Sequence, residues 1–341
     1  MKPVTATRAR RVLKLVSLRL REASRTMPVF RTTRSNVPTL RKPRVLKKGA
    51  TLGIAAPAGP IDETRLTAGV SMLRKLGFEV VHADDITRAT GYLAGDDARR
   101  AEEFMQLVND PNVDGIFCAR GGYGCHRIMH LLDEKQVRAA AKPLFGYSDV
   151  TTLLLWQLSR AGLMGHHGPM LERTDALSAD SKRAIATTLL GVGPPQRMVG
   201  KSVQRGWGEG RLTGGSLKLV VASLGTPWEI DTRDAILLFE ETHEAPYSID
   251  RMLMQLKAAG KLDALVGVGI GCLTDCTNPI CPEPTARDVI EEILSPLGVP
   301  VVSELPFGHA DHHLPWALGA RAAIDGDRGE IELLELAVAK R

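Results

Sequence analysis

Two rhythms of apolar and polar residues take turns along this chain. Short apolar runs (TLGIAAPA, FEVVHA, DGIFCAR and PLFGY) are each followed by a stretch with helical spacing. In the first such stretch, ETRLTAGVSMLRKLG, Leu66, Val70 and Leu73 fall on one helical face and Gly77 ends it. A brief apolar run closed by turn residues reads as a buried strand, and spacings of three and four read as an amphipathic helix. By the same rule DARRAEEFMQLVND, with Asp97 as candidate N-cap, GCHRIMHLLD and DVTTLLLWQLSRAG read as helices. Strand then helix at such short intervals predicts an α/β domain over residues 49–172, a parallel sheet with helices on both faces.

The rhythm blurs beyond residue 172. ERTDALSADSKRAIATTLLG reads as one helix, and GVGPPQ opens a polar run to Gly208, so 173–208 is read as a linker region. Residues 209–341 then mix strands (AILLFEE, VGVGIGC, VPVVSEL and stretches near 317–324 and 330–335) with helices (SIDRMLMQLKAAGK, ARDVIEEILSPLG). They are expected to form a smaller, mixed α/β C-terminal domain.

Charge changes the picture at one end only. The formal net charge is +5, but residues 1–48 hold 15 of the 44 Lys and Arg and one of the 39 Asp and Glu. The body is therefore acidic, and the tail supplies no argument for a nucleic-acid partner. Residues 1–48 are expected to be a disordered or targeting segment. Arg10-Arg11 suggests an export signal, but Lys14, Arg19 and Arg21 interrupt the apolar stretch after it, and Met27 is an alternative start. Five cysteines, an odd number, do not suggest a disulfide framework, so a reducing, cytoplasmic setting is expected. No apolar run reaches the roughly 18 residues of a membrane span.

Candidate chemistry gathers at two turns. In PLFGYSDVTTLLLW a strand runs into Ser148 and straight into a helix, which exposes the hydroxyl above the sheet's carboxyl edge. Ser148 reads either as a nucleophile or as a helix N-cap. In DGIFCARGGYGCHRIM the strand ends on Arg120, Gly121, Gly122, Tyr123 and Gly124, whose amides suit an oxyanion hole. No P-loop lysine accompanies these glycines. Cys125 lies in the same turn and reads as a structural cysteine or a rival nucleophile. Ligands of parallel sheets bind at such loops, so both turns point to one crevice. Farther on, Glu240 and Glu241 close an apolar strand, where a carboxylate could orient an imidazole or simply be solvated. His309, Asp311, His312 and His313 cluster without the companion spacing of a metal site, and Cys272, Cys276 and Cys281 lack paired zinc spacing, so no metal and no cofactor is expected.

Taken in order, IAAPAGPI, ARGGYGCHRIM, FGYSDVTTLL, HHGPML, LTGGSLKLVVASLGTPWE, LLFEETHEAPYSIDRMLMQL and PFGHADHHLPWALGA resemble the microbial L,D-carboxypeptidase family. The resemblance spans roughly residues 49–340. That family includes muramoyltetrapeptide carboxypeptidases and the microcin C immunity hydrolase. It implies an amidotransferase-like N-terminal domain and a triad of Ser148, Glu240 and His309. It further implies an oxyanion hole from the amides of Asp149, Gly121 and Gly122, a cytoplasmic homodimer, and a murein tetrapeptide as substrate. Arg120, Tyr123 and Ser216 are the candidate substrate contacts; Ser216 stands where relatives often carry Asn. Two alternatives are an amidase acting on aminoacyl- or peptidyl-nucleotide conjugates, with Trp207, Trp228 or Trp316 available for stacking, and a ligand-binding protein without chemistry.

Overall fold

The strands are sorted into two sheets, one per lobe. The computed structural model describes residues 39–174 and 176–339, and the segment 1–38 lies outside the described residues. The first sheet contains β1 (Thr51–Ala55), β2 (Glu79–Val81), β3 (Gly115–Cys118), β4 (Leu144–Gly146) and β5 (Gly165–His167). The second contains β6 (Arg197–Val199), β7 (Lys201–Gln204), β8 (Trp207–Ser216), β9 (Ala235–Thr242), β10 (Leu265–Thr274) and β11 (Val301–Ser303). After these, β12 (Trp316–Leu318) returns to the first sheet, and β13 (Arg321–Asp325) and β14 (Glu330–Leu333) complete the second.

The first sheet runs β12-β5-β4-β3-β1-β2 and is parallel except for β12, which pairs antiparallel with β5. Alternation along its strands explains its two covered faces. Leu52, Ile54, Phe117 and Phe145 point to one face and meet Leu66, Val70 and Leu73 of helix Glu63–Lys75, with Ile185 and Leu189 of helix Ala179–Leu190. Ala55, Ile116, Cys118 and Leu144 point to the other and meet Ala101, Phe104 and Val108 of helix Asp97–Asn109, with Leu153 and Leu154 of helix Thr151–Trp156. The α/β class and the parallel sheet expected from the rhythm are therefore present.

The second sheet, β6-β14-β13-β8-β9-β10-β11-β7, is parallel across β8 to β11 and antiparallel at both margins. Its apolar residues Leu212, Leu237, Leu238 and Phe239 share one continuous core with the second face of the first sheet.

Four departures from the sequence reading have physical causes. Residues 39–48 belong to the body: Leu46 is buried and Arg41 bridges to Leu163. The 173–208 stretch carries, besides the expected helix, β6 and β7, which pair with β14 and β11. Only long-range pairing makes strands of such short polar segments. Residues 316–318, assigned to the C-terminal domain, complete the N-terminal sheet. GCHRIMHLLD forms only the short helix Cys125–Ile128 and a 3-10 turn, because Asp133 caps a separate helix, Glu134–Ala140.

Candidate active site

β4 delivers Ser148 through an abrupt turn. Tyr147 is still extended, Ser148 turns to φ 57°, and residues Ser148–Val150 form a 3-10 turn leading into helix Thr151–Trp156. A left-handed φ on a non-glycine residue is strained, and such strain is typical of side chains held out for use. The neighbouring glycine loop lies close against it. A Cβ on Gly121 would stand 2.9 Å from both Cβ and Oγ of Ser148, so only glycine lets the loop come so near. Among the described residues no hydrogen bond uses the N–H of Gly121, Gly122 or Asp149.

Three buried contacts fix these loops. The Asp149 carboxylate accepts the Cys125 N–H at 2.8 Å, tying the Ser148 turn to the glycine loop. Burial raises the Asp149 carboxyl above its usual range, although that hydrogen bond opposes the rise. Gly59 N–H donates to Gly121 O at 2.9 Å. Arg100, fully buried, donates to Pro57 O at 2.5 Å and Gly124 O at 2.8 Å and pairs with Asp97. Cys125 is fully buried, and burial, with Asp149 beside it, pushes its thiol far above the ordinary value. A thiol held protonated and away from solvent is no nucleophile.

The second lobe brings the other groups. β9 carries Glu240, wholly buried, two residues before its end at Thr242, and the loop after β11 carries His309. His309 Nδ1 stands 2.7 Å from Glu240 Oε2. A carboxylate only accepts, so Nδ1 carries the proton and Nε2 keeps its lone pair. Gly308, at φ 110°, makes this contact possible: a Cβ there would stand 2.8 Å from Glu240 Cβ and 2.9 Å from Oε2. Burial lowers the His309 pKa, but the hydrogen bond and charge of Glu240, with the charge of Glu241, outweigh it and hold the imidazole above its ordinary value. Glu241 plays a different part. It accepts the N–H groups of Lys218 and Thr242, and burial pushes its carboxyl up to about 7.

The lobes meet at Tyr147, the residue before Ser148. The Tyr147 ring lies 4.7 Å from that of His309, centroid to centroid, so the residue beside Ser148 touches the imidazole that Glu240 holds. Ser216 N–H donates to Thr151 Oγ1 at 3.1 Å, and Gly215 lies where any Cβ would collide with the Thr151 side chain. Gly215 of LTGGS thus serves a close approach between β8 and the helix that follows Ser148, while Gly214 lies against the Leu238 backbone of β9.

The remaining sequence candidates are placed as follows. Arg120 pairs with Glu172 at 2.9 Å and donates to Pro60 O. Tyr123 is exposed and edge-on to Tyr92. Ser216 is buried, and its backbone makes the lobe contact just described. Asp311, His312 and His313 form no group of three or more donors that could hold a metal among the described residues.

Sequence reading missed what lies behind His309. His167 and His313 are fully buried, their ring nitrogens 3.4 Å apart, with Tyr147 edge-on to both. Burial drives His167 down to about 3 and His313 well below its ordinary value, so both are neutral. Trp316 stacks on His167 from the returning β12. The doublet in HHGPML was the available signal, but nothing local tied it to residue 313.

Comparison with known proteins agrees with this architecture. Residues 52–168 match the LD-carboxypeptidase N-terminal domain and residues 209–324 the LD-carboxypeptidase C-terminal domain. A Synechocystis protein carrying a carboxypeptidase name is 36% identical over 297 residues, covering 86% of this chain and 97% of its own. The murein tetrapeptide carboxypeptidase of Pseudomonas aeruginosa is 28% identical, covering 81% and 94%. The crystal structure of muramoyltetrapeptide carboxypeptidase from Oxalobacter formigenes superposes with a TM-score of 0.76 at 30% identity, covering 83% of this chain and 98% of that one. Two matched domains spanning most of the chain, with the same fold beneath them, establish that this protein is a peptidase belonging to the LD-carboxypeptidase family.

Proposed function

We propose that this chain is a serine L,D-carboxypeptidase that releases the terminal D-alanine of murein tetrapeptides, with Ser148, His309 and Glu240 as its triad. The observation that carries the reading is the buried Glu240 holding His309 Nδ1 at 2.7 Å while His309 packs on the residue beside Ser148. In this mechanism His309 Nε2 takes the Ser148 proton as Oγ attacks the scissile carbonyl. The oxyanion falls to the N–H groups of Asp149, Gly121 and Gly122, where one donor is typically worth about 3–4 kcal/mol. The C–N bond then breaks, His309 returns the proton to the departing amine, and water hydrolyses the acyl-serine by the same route. The bond cut would join the L-centre of meso-diaminopimelate to D-alanine. Five free thiols suit the reducing, cytoplasmic setting that belongs to the same proposal, as does the homodimer.

The nucleotide-conjugate alternative has less behind it. Trp316 is buried, and Trp207 opens β8, about 30 Å from the Ser216 end. Trp228, edge-on to His126, lies near the glycine loop. The test is D-alanine release from purified muramoyl-tetrapeptide, wild type beside Ser148→Ala. Release by wild type alone supports both the reaction and the nucleophile. Release by neither excludes this substrate and turns the search to aminoacyl-nucleotide amides.

The raised His309 pKa fixes a sign. The base must be neutral, so kcat/KM should fall on acidification, with a midpoint above that of an unperturbed imidazole near 6.5. Stability runs the other way. A raised folded-state pKa contributes stability below the unfolded value, and that contribution is lost as pH rises through the folded value. A rate profile flat from pH 5 to 8 would exclude a histidine base.

A further inference from the structure

The leaving residue of a carboxypeptidase carries a free carboxylate, which the crevice must recognise. Chemistry restricts where that recognition takes place. His309 has to hand its proton to the departing amine, so that nitrogen must come within about 3 Å of Nε2. The carboxylate is attached one carbon away and therefore lies on the His309 side of the crevice, opposite the oxyanion glycines. Arg120 adjoins those glycines, and its guanidinium is held by Glu172, a largely buried carboxylate, and by Pro60 O.

Another arginine lies on the required side. After β5 the chain makes a 3-10 turn, Leu171–Arg173. Met170 reaches the Gly121 and Ser148 corner: its Cε lies 3.3 Å from where a Gly121 Cβ would be. Glu172 N–H donates to Ala119 O at 3.1 Å. Arg173 then crosses to the histidine loop, pairing through Nη2 with Asp311 at 3.0 Å, two residues beyond His309. The loop is pinned there, since Ser178 N–H donates to Asp311 O and Ser181 Oγ accepts the His313 N–H. Arg173's charge is felt at His309, His313 and Tyr147, all of which it disfavours protonating or favours ionising.

The two arginines differ in what holds them. The side chain of Glu172 is 15% exposed, whereas that of Asp311 is 69% exposed. An exposed ion pair contributes little, because water solvates the carboxylate almost as well once it is released. Arg173 Nε is also buried with no hydrogen-bond partner among the described residues. The guanidinium thus has Nε buried without a partner among the described residues and Nη2 only weakly engaged.

We propose that Arg173 is the specificity-determining residue that binds the free carboxylate of the terminal residue, displacing Asp311 to form paired hydrogen bonds on the His309 side of the crevice. A planar guanidinium suits a carboxylate in this way. The inference rests on the carboxypeptidase reading above. It makes the enzyme an exopeptidase through one side chain absent from the sequence-level candidates.

The experiment compares muramoyl-tetrapeptide with the same peptide ending in D-alaninamide, for wild type, Arg173→Ala and Arg173→Lys, reading kcat and KM separately. Wild type should prefer the free acid by about 10- to 100-fold in kcat/KM, the range for losing a charged hydrogen-bond partner. Arg173→Ala should collapse that preference towards unity, chiefly by raising KM for the acid. Arg173→Lys should keep part of it, which also guards against a variant that fails to fold. An equal loss on both substrates would make Arg173 a structural latch to Asp311 and overturn the proposal. So would a preference left intact in Arg173→Ala. Cleavage of neither peptide by wild type would instead remove the carboxypeptidase reading and this inference with it.

Discussion

Ser148→Gly should lose turnover by about four orders of magnitude or more and yet unfold at a slightly higher temperature than wild type. The loss follows from the proposed chemistry. With no hydroxyl there is no acyl-enzyme, and what survives is the residual acceleration from oxyanion donors and binding. The gain follows from the backbone. Ser148 sits at φ 57°, where an L side chain costs roughly 1–2 kcal/mol that glycine does not incur. Glycine's greater freedom in the unfolded chain removes part of this, leaving about 1 kcal/mol at most, or a few degrees in a protein of this size. Ser148→Ala separates the two effects, because alanine keeps the strain and loses only the hydroxyl. It should be as inactive as glycine at that position and melt near wild type. Thermal melts beside D-alanine release read both quantities. Near-normal release by either variant would remove Ser148 from the mechanism. A Ser148→Gly protein that melts lower would mean the turn is unstrained, or that the hydroxyl contributes stability the fold needs.

The turn that carries this strain is one of the features that local sequence could suggest. PLFGYSDVTT reads as strand, turn and helix because its apolar run and its polar break are adjacent, and the fold follows that order. The alternation of β1 to β5 with helices was legible for the same reason, since each burial face is written in a few neighbouring residues. What was not legible depends on partners far along the chain. β12 is three residues, WAL, with no pattern of its own, and becomes a strand only because β5 offers an open edge. β6 and β7 are likewise made by β14 and β11. The acids at the end of β9 looked alike in sequence, yet Gly308 admits Glu240 to His309 while Glu241 turns to the N–H of Lys218. Arg173 sits in the polar run ERTDALSAD, where an arginine usually means a solvated surface, and its position acquires meaning only once the 309–313 loop packs beside it.

Glu240→Gln tests the part of the site that is most completely built, and it should reduce kcat by about three to four orders of magnitude. Glu240 has no exposed surface, its Oε2 accepts from His309 Nδ1, and its Oε1 has no partner among the described residues. Glutamine has the same shape, so packing around Phe239 and Gly308 need not change. Its amide has two orientations, and both impair the base. With the amide oxygen towards Nδ1 the tautomer is kept, but no negative charge balances the imidazolium as Ser148 gives up its proton. With the NH2 group towards Nδ1 the ring must accept there, Nε2 carries the proton, and attack on Ser148's proton is blocked. A buried carboxylate replaced by its amide in a Ser-His-Asp site costs about 10⁴ in kcat for this reason. The variant should remain folded, because exchanging one buried ionic partner for a neutral one of equal volume also removes the cost of burying that charge. A second signature follows from the terms that raise His309. Without the hydrogen bond and charge of Glu240, burial is less opposed, and the acid limb of the remaining rate should move to lower pH. A Glu240→Gln enzyme within tenfold of wild type, with its acid limb unmoved, would show that Glu240 only fills a pocket. A large loss with the limb displaced downward would place it behind the imidazole as the group that keeps His309 a base.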